Sequence, residues 1–140
     1  MTYIVKSSER LRPSASETET KALLYLMNFR DDSEEIYYFV VDFFNDLTGM
    51  CRMAEKMWDV QSKGAKNSSP KSIGKELVTL FKNYTSEFKF AYFILFLGGV
   101  SNTFRIDNDI NNFDISNVKE SALRKLKEGL KEECASKTYI

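Results

Sequence analysis

The stretch Trp-Asp-Val-Gln-Ser-Lys-Gly at residues 58–64 decides how the rest of the chain is interpreted. Its alternation of polar and apolar residues predicts a short strand that ends at a glycine. Side chains alternate between the two faces of a strand, so Asp59, Gln61 and Lys63 share one face. Neighbours on that face lie roughly 6 to 7 Å apart, close enough for an acid, an amide and an amine to converge on one metal ion or phosphate.

The composition predicts one folded domain over residues 1–140, because 43% of the residues are apolar and 29% are charged. The formal net charge is zero, so nucleic-acid binding would need a local basic patch. Histidine is absent, which excludes Ser-His and Cys-His catalysis and His-ligated zinc. The two cysteines, Cys51 and Cys134, form no CxxC motif, and we expect a reducing, cytoplasmic setting.

Neither a signal peptide nor a membrane span is expected from the sequence. Residues 1–12 lack an apolar stretch, and the longest apolar run, residues 90–100, is shorter than the roughly 20 residues that a bilayer requires. Residues 137–140 resemble the start of another element, which raises the hypothesis that the chain is the N-terminal fragment of a longer protein.

The apolar periodicities predict an α/β fold in which helices flank a mixed central β-sheet, in the order α-β-β-α-β-α. The predicted elements are a helix from Ser16 to about Phe29, strands Ile36–Phe44 and Lys56–Lys63, a helix beginning at Ser69-Pro70, a strand Phe88–Leu97 and a helix Val118–Glu133. The first strand is apolar on both faces and is predicted to be central, and residues 45–49 are predicted to form a turn. The second helix should connect parallel strands by a right-handed crossover.

The polar row on the second strand needs a companion carboxylate, and Asp46 is the candidate because it follows the preceding strand. If that strand is shifted in register, Asp42 takes this place instead. Mg²⁺ prefers hard oxygen ligands, which Asp46, Asp59 and the Gln61 carbonyl would supply. Lys63 would hold the attacking water and offset negative charge in the transition state, and Glu19 on the first helix would bind a second ion or orient water.

This pattern resembles the PD-(D/E)xK, or restriction-endonuclease-like, superfamily. It is most similar to branches with a Gln-x-Lys signature, such as Mrr-type restriction enzymes and double-stranded DNA endonuclease domains of anti-phage effectors. Those branches carry an acidic helix residue, an Asp at a strand and Gln-x-Lys on the next strand, matched here by Glu19, Asp46 and Gln61-Ser62-Lys63. No proline precedes Asp46, and Gln61 replaces the more usual acid.

The resemblance implies a restriction-endonuclease-like core and a Mg²⁺-dependent endonuclease, with Mn²⁺ able to substitute. It also implies double-stranded DNA as partner, a role in prokaryotic defence, and a homo-oligomer or a partner defence protein. The N-terminus of the following helix would contact phosphates. Three lysines in the loop before that helix and in its first turns would do the same: Lys66, Lys71 and Lys75.

Simpler interpretations remain for every residue of this set. Asp59 and Lys63 could belong to a solvated polar row, Glu19 to a helix capping box and Asp46 to a turn, while the lysines could form an ordinary charged face. The alternative functions are a degenerate nuclease-like fold that serves in assembly and a small-molecule-binding α/β domain. The latter lacks support because neither a P-loop nor a GxGxxG motif occurs.

Overall fold

The computed structural model describes residues 13–29, 34–41 and 44–136, which form a mixed sheet flanked by helices. The strands are β1 (Tyr38–Val41), β2 (Leu47–Met50), β3 (Met57–Lys63) and β4 (Tyr92–Leu97); the helices are α1 (Pro13–Met27), α2 (Pro70–Tyr84) and α3 (Glu120–Ser136). The sheet order is β1-β2-β3-β4, with antiparallel pairs up to β3 and a parallel β3–β4 pair. The predicted α/β class and the parallel pair across α2 are confirmed.

The two faces of β3 contact different layers of the molecule, as its alternating sequence predicts. Trp58 and Val60 are fully buried and pack with Ala22 and Leu26 of α1 on one face of the sheet. Asp59, on the other face, accepts a hydrogen bond from α2. The two faces of β3 therefore differ in chemistry: one is an apolar core and the other carries the polar row.

The predicted element order lacks one strand, because residues 45–49 are not a simple turn. Leu47–Met50 form β2, which pairs with β1 on one side and with β3 on the other. Gly49 lies within this strand, where a Cβ would lie 3.2 Å from Ile36 and 3.3 Å from Leu26. The glycine is thus explained by the close approach of neighbouring side chains, and the paired strands satisfy the backbone of this polar segment.

The prediction that the first strand is central is also wrong. β1 covers only Tyr38–Val41 and lies at the edge of the sheet, where Val41 is 58% exposed. Its aromatic and β-branched residues favour a strand but do not determine its position in a sheet. Asp42, the alternative site residue, lies outside the described residues, as do residues 137–140.

The helices begin close to their predicted positions, with small shifts. Ser69 caps α2 by accepting a hydrogen bond from the Ser72 amide at 3.2 Å, and Pro70 occupies its first turn, as predicted. α1 begins at Pro13 rather than Ser16, and α3 begins at Glu120 rather than Val118. β4 begins at Tyr92, four residues after the predicted Phe88.

The direction of α1 follows from its aromatic contacts with β4. The Phe29 ring lies 5.3 Å from Tyr92 at the start of β4, and the Tyr25 ring lies 5.6 Å from Phe96 near its end. α1 therefore runs opposite to β3 and β4, and its first turns lie near the ends of these strands. Glu19 is thereby placed at the same end of the sheet as Lys63.

Within the described part of the chain, the helices are too short or too polar to cross a bilayer.

Candidate functional site

Asp46 lies directly before β2 and is fixed to β3. Its Oδ2 accepts hydrogen bonds from the Ser62 amide and from the Ser62 hydroxyl, both at 2.8 Å. Leu47 pairs with Val60, so one further step along this antiparallel ladder brings Asp46 opposite Gln61. Oδ1 accepts no hydrogen bond from the described residues, and the residue is half-buried, which leaves one oxygen for a ligand.

Gln61 directly precedes Ser62, the residue that binds Asp46. It is half-buried on β3 and pairs with Leu95 of β4. Its side-chain amide forms no hydrogen bond with any residue that the structure describes, whereas most buried polar groups have such partners. The Gln61 carbonyl oxygen is therefore available to a ligand, and its role as a metal ligand stays a prediction.

Lys63 points toward α2 and is held there by two acceptors. Its Nζ donates to the Ser72 hydroxyl at 2.8 Å and to Glu76 Oε1 at 3.0 Å. The Lys63 side chain is 22% exposed and that of Glu76 is 31% exposed, so the pair is accessible to solvent. The lysine amine is thus oriented by α2 rather than by the sheet.

Glu76 was missed by the sequence analysis. Ser72 and Glu76 are four residues apart on α2 and therefore share a helix face, which is the signal that could have identified them together. Both line a surface cavity of about 360 Å³ together with Lys63, Lys75, Val78, Thr79 and Glu133. The cavity contains charges of both signs next to the candidate catalytic lysine.

Asp59 does not share the exposed environment of its neighbours on the row. It is 0% exposed, and its oxygens accept hydrogen bonds from Asn45 at 2.9 and 3.0 Å and from Asn83 at 2.8 Å. Burial raises its pKa; the two amide hydrogen bonds oppose this shift, and the charge of Asp46 adds to it. A ligand role for Asp59 stays a prediction, since both oxygens here serve amide groups of the protein.

The raised pKa gives a testable pH dependence of stability. Between the ordinary carboxyl pKa and the raised one, the folded state binds more protons than the unfolded state, so the Asp59 contribution to the free energy of unfolding falls as pH rises. Asp59→Asn removes this contribution. We expect the stability difference to shift in favour of the variant as pH rises from about 4 to neutrality.

Urea unfolding of both proteins at several pH values measures this difference. Glu17, Asp114 and Glu132 have lowered pKa values and act in the opposite direction, but they are present in both proteins and cancel in the difference. A stability difference that is independent of pH would contradict a raised Asp59 pKa.

Glu19 lies in the second turn of α1, on the stripe that also contains the buried Ala22 and Leu26. Glu17, two residues earlier, forms an ion pair with Lys21 at 2.9 Å. That ion pair lowers the pKa of Glu17, and the charge of Lys66 lowers it further. The start of α1 is therefore near the loop that follows β3. Asp46 and Lys63 form their hydrogen bonds elsewhere, with Ser62 and with Ser72 and Glu76, respectively.

Two of the three lysines predicted to bind nucleic acid are paired with one acid of α3. Lys71 Nζ lies 2.7 Å from Glu132 Oε1, and Lys75 Nζ lies 3.8 Å from Glu132 Oε2. The hydrogen bond with Glu132 raises the pKa of Lys71. Lys66 is exposed in the loop after β3. Positive charge is thus present at this end of the sheet but is partly compensated.

The oxygen donors of the site suit a hard cation, although they are not all acids. Among the residues that the structure describes, no three Asp, Glu or Cys side chains are grouped as a metal site. Asp46 Oδ1 and the Gln61 carbonyl nevertheless offer one charged and one neutral oxygen, a donor set that Mg²⁺ accepts together with water and phosphate. The chemistry of these donors therefore fits Mg²⁺ without requiring Asp59.

Comparison with known proteins gives no relative from which a role could be transferred. No family model matches the chain, and the searches of curated proteins and of solved structures each gave no significant match.

Proposed function

We propose that this protein is a Mg²⁺-dependent endonuclease that hydrolyses phosphodiester bonds of double-stranded DNA. The observation that carries the proposal is the fixation of Asp46 on Ser62, the residue between Gln61 and Lys63. This contact brings the carboxylate to the strand that bears the amide and the amine. A carboxylate, a neutral oxygen and a cation at one strand end form a set suited to phosphoryl chemistry.

The order of the elements supports the proposal. An acidic residue on α1 is followed by Asp46 at the start of β2, by Gln61-Ser62-Lys63 on β3, and then by α2 and β4. This is the order implied by the resemblance to the Gln-x-Lys branches of the restriction-endonuclease-like nucleases. The additional edge strand β1 precedes Asp46 and does not interrupt that order.

Asp46 and Gln61 would hold the cation. α1 packs on the face of the sheet opposite to Lys63, so a ligand role for Glu19 stays a prediction of the resemblance. Bound by Asp46 and Gln61, Mg²⁺ would supply a Lewis acid for the phosphodiester, and Mn²⁺ should replace it. Asp46 is fixed by Ser62 and cannot turn away without losing two hydrogen bonds. The ligand set that we propose is therefore Asp46 and Gln61.

Lys63 would stabilise the negative charge that develops on the phosphate oxygens as water attacks phosphorus and the ester P–O bond breaks. An ammonium group close to that position lowers the barrier because its interaction strengthens as the charge develops. Ser72 and Glu76 orient the amine before substrate binds. A phosphate oxygen would then replace or join these two acceptors.

DNA contacts would be made through phosphates by the exposed Lys66 and by the lysines of α2. Because Glu132 compensates Lys71 and Lys75, Glu132→Gln should strengthen binding of a DNA duplex and make the affinity fall more steeply with salt. We expect a several-fold gain in affinity at low salt, measured by fluorescence anisotropy over a salt series. Glu120→Gln, in the exposed first turn of α3, is the control for a general change in charge. Equal effects of the two substitutions would contradict the assigned lysine contacts.

A second function is favoured by a separate observation, an exposed aromatic surface that extends from the end of α2 across the start of β4 to the segment before β2. Its rings lie 5.1 to 6.4 Å apart in a continuous chain: Phe81, Tyr84, Phe93, Phe90, Phe44 and Phe88. Exposed apolar patches mark interaction surfaces. The alternative is thus a nuclease-like assembly module without catalysis.

Incubation of supercoiled plasmid with the purified chain distinguishes the two functions. The nuclease proposal predicts nicked and linear products in Mg²⁺ or Mn²⁺ and none in EDTA. Intact plasmid in both metals, together with self-association in sedimentation velocity, would favour the assembly module. The anti-phage role, the cytoplasmic location and a homo-oligomer or partner protein stay predictions of the resemblance.

A further inference from the structure

The buried carboxylate of Asp59 connects three parts of the fold. Asn45 donates to both of its oxygens at 3.0 and 2.9 Å from the segment before β2, and Asn83 donates at 2.8 Å from the last turn of α2. Asp59 is 0% exposed and Asn83 is 8% exposed. Burying a carboxylate is costly unless it is hydrogen-bonded, so this cluster imposes a defined position on the amides that satisfy it.

One of these amides belongs to the residue immediately before Asp46. The Asn45–Asp46 segment is therefore attached to β3 at two points: Asn45 to Asp59, and Asp46 to Ser62. The two attachment points are three residues apart on one strand, which fixes both the position of this segment and its orientation. If either attachment were lost, the segment could rotate about the one that remains.

We propose that Asp59 is a positioning residue for the cation site, acting through Asn45 on Asp46, and is not itself a ligand. This inference rests on the proposed function and reassigns the acid that the sequence pattern places among the ligands. A carboxylate suits this role because both of its oxygens accept hydrogen bonds, so it can accept from two amide groups at once. Residues of this kind behind a metal site commonly change metal affinity by about 10- to 100-fold when they are replaced.

The test compares Asn45→Ala with Thr48→Val, because Asn45 is only half-buried and its replacement is tolerated more easily than that of Asp59. Thr48 is fully buried opposite Asp59, and its hydroxyl has no partner among the described residues, so Thr48→Val changes the same region without removing a hydrogen bond. Asp59→Asn is the second variant, and Asp46→Ala sets the scale for loss of a ligand.

Two readouts are required of each full-length variant. Binding of Mn²⁺ alone is measured by electron paramagnetic resonance, and amide hydrogen exchange at Ser62 reports the contact with Asp46. We expect Asn45→Ala and Asp59→Asn to weaken Mn²⁺ binding about tenfold or more and to accelerate exchange at Ser62. Thr48→Val should leave both unchanged.

The outcomes separate this inference from the proposed function. If the wild-type chain binds Mn²⁺ and Asn45→Ala binds it equally well, the positioning role is wrong and the nuclease proposal is unaffected. If Asp59→Asn abolishes binding as completely as Asp46→Ala while Asn45→Ala has no effect, Asp59 is a ligand. If the wild-type chain does not bind Mn²⁺, the proposed function fails and this inference fails with it.

Discussion

Lys63→Ala is expected to slow Mg²⁺-dependent cleavage of plasmid DNA by about 100-fold or more, the usual effect of removing one group that stabilises transition-state charge. Its amine is the cationic donor nearest in sequence to Gln61 on β3, and it is already oriented by Ser72 and Glu76. The rate should be measured in single turnover with saturating enzyme, so that weaker DNA binding does not enter the result.

The folded state should be almost unaffected by this substitution. The Lys63–Glu76 ion pair is accessible to solvent, and such pairs contribute about 0 to 1 kcal/mol. Lys75→Ala is the matched control. Lys75 lines the same cavity, but its amine pairs with Glu132, whereas the amine of Lys63 pairs with Glu76. Cleavage by Lys63→Ala at the wild-type rate would contradict the catalytic role, as would equal losses in the two variants.

Gly74→Ala is expected to lower the free energy of unfolding more than any other substitution proposed for this protein. α2 and α3 cross so closely at this point that a Cβ on Gly74 would lie 1.9 Å from the Leu126 carbonyl oxygen. At an unobstructed helix position, alanine would instead stabilise the helix by about 1 kcal/mol. Relief of the overlap requires a shift of backbone, and we expect a net loss of roughly 2 kcal/mol or more in the free energy of unfolding.

Urea denaturation and thermal unfolding measure this loss, which corresponds to a fall in Tm of roughly 6 °C or more. Gly129→Ala should behave similarly, since a Cβ there would lie 2.1 Å from the Lys71 carbonyl oxygen. Lys127→Ala, on the exposed face of α3, is the control and should change stability by less than about 0.5 kcal/mol. Stabilisation by Gly74→Ala would contradict the close helix crossing.

The fold class and the position of β3 could be predicted because both depend on local patterns. Alternation along residues 58–63 determines which side chains share a face, and Ser69-Pro70 marks the start of α2. β2 could not be predicted in this way: its polar and glycine residues are typical of a turn, and it becomes a strand only because β1 and β3 pair with it on both sides.

The candidate site shows the same division between local and long-range information. Alternation places Asp59 and Gln61 on one face but does not indicate that Asp59 lies beneath Asn45 and Asn83. These amides are 14 and 24 residues away in sequence, and no spacing rule connects them to β3. Glu76 could be predicted only in part. The helix face on which it lies follows from periodicity, but its contact with Lys63 depends on how α2 packs on the sheet.

The position of a bound cation tests the central claim most directly. Crystals of the chain soaked in MnCl₂ should give an anomalous difference peak within coordination distance of Asp46 Oδ1 and the Gln61 carbonyl oxygen, roughly 2.0 to 2.3 Å. Asp59 should remain hydrogen-bonded to Asn45 and Asn83 in the same crystals. An occupied Mn²⁺ position away from Asp46 and Gln61, or the absence of any peak at this end of the sheet, would contradict the account.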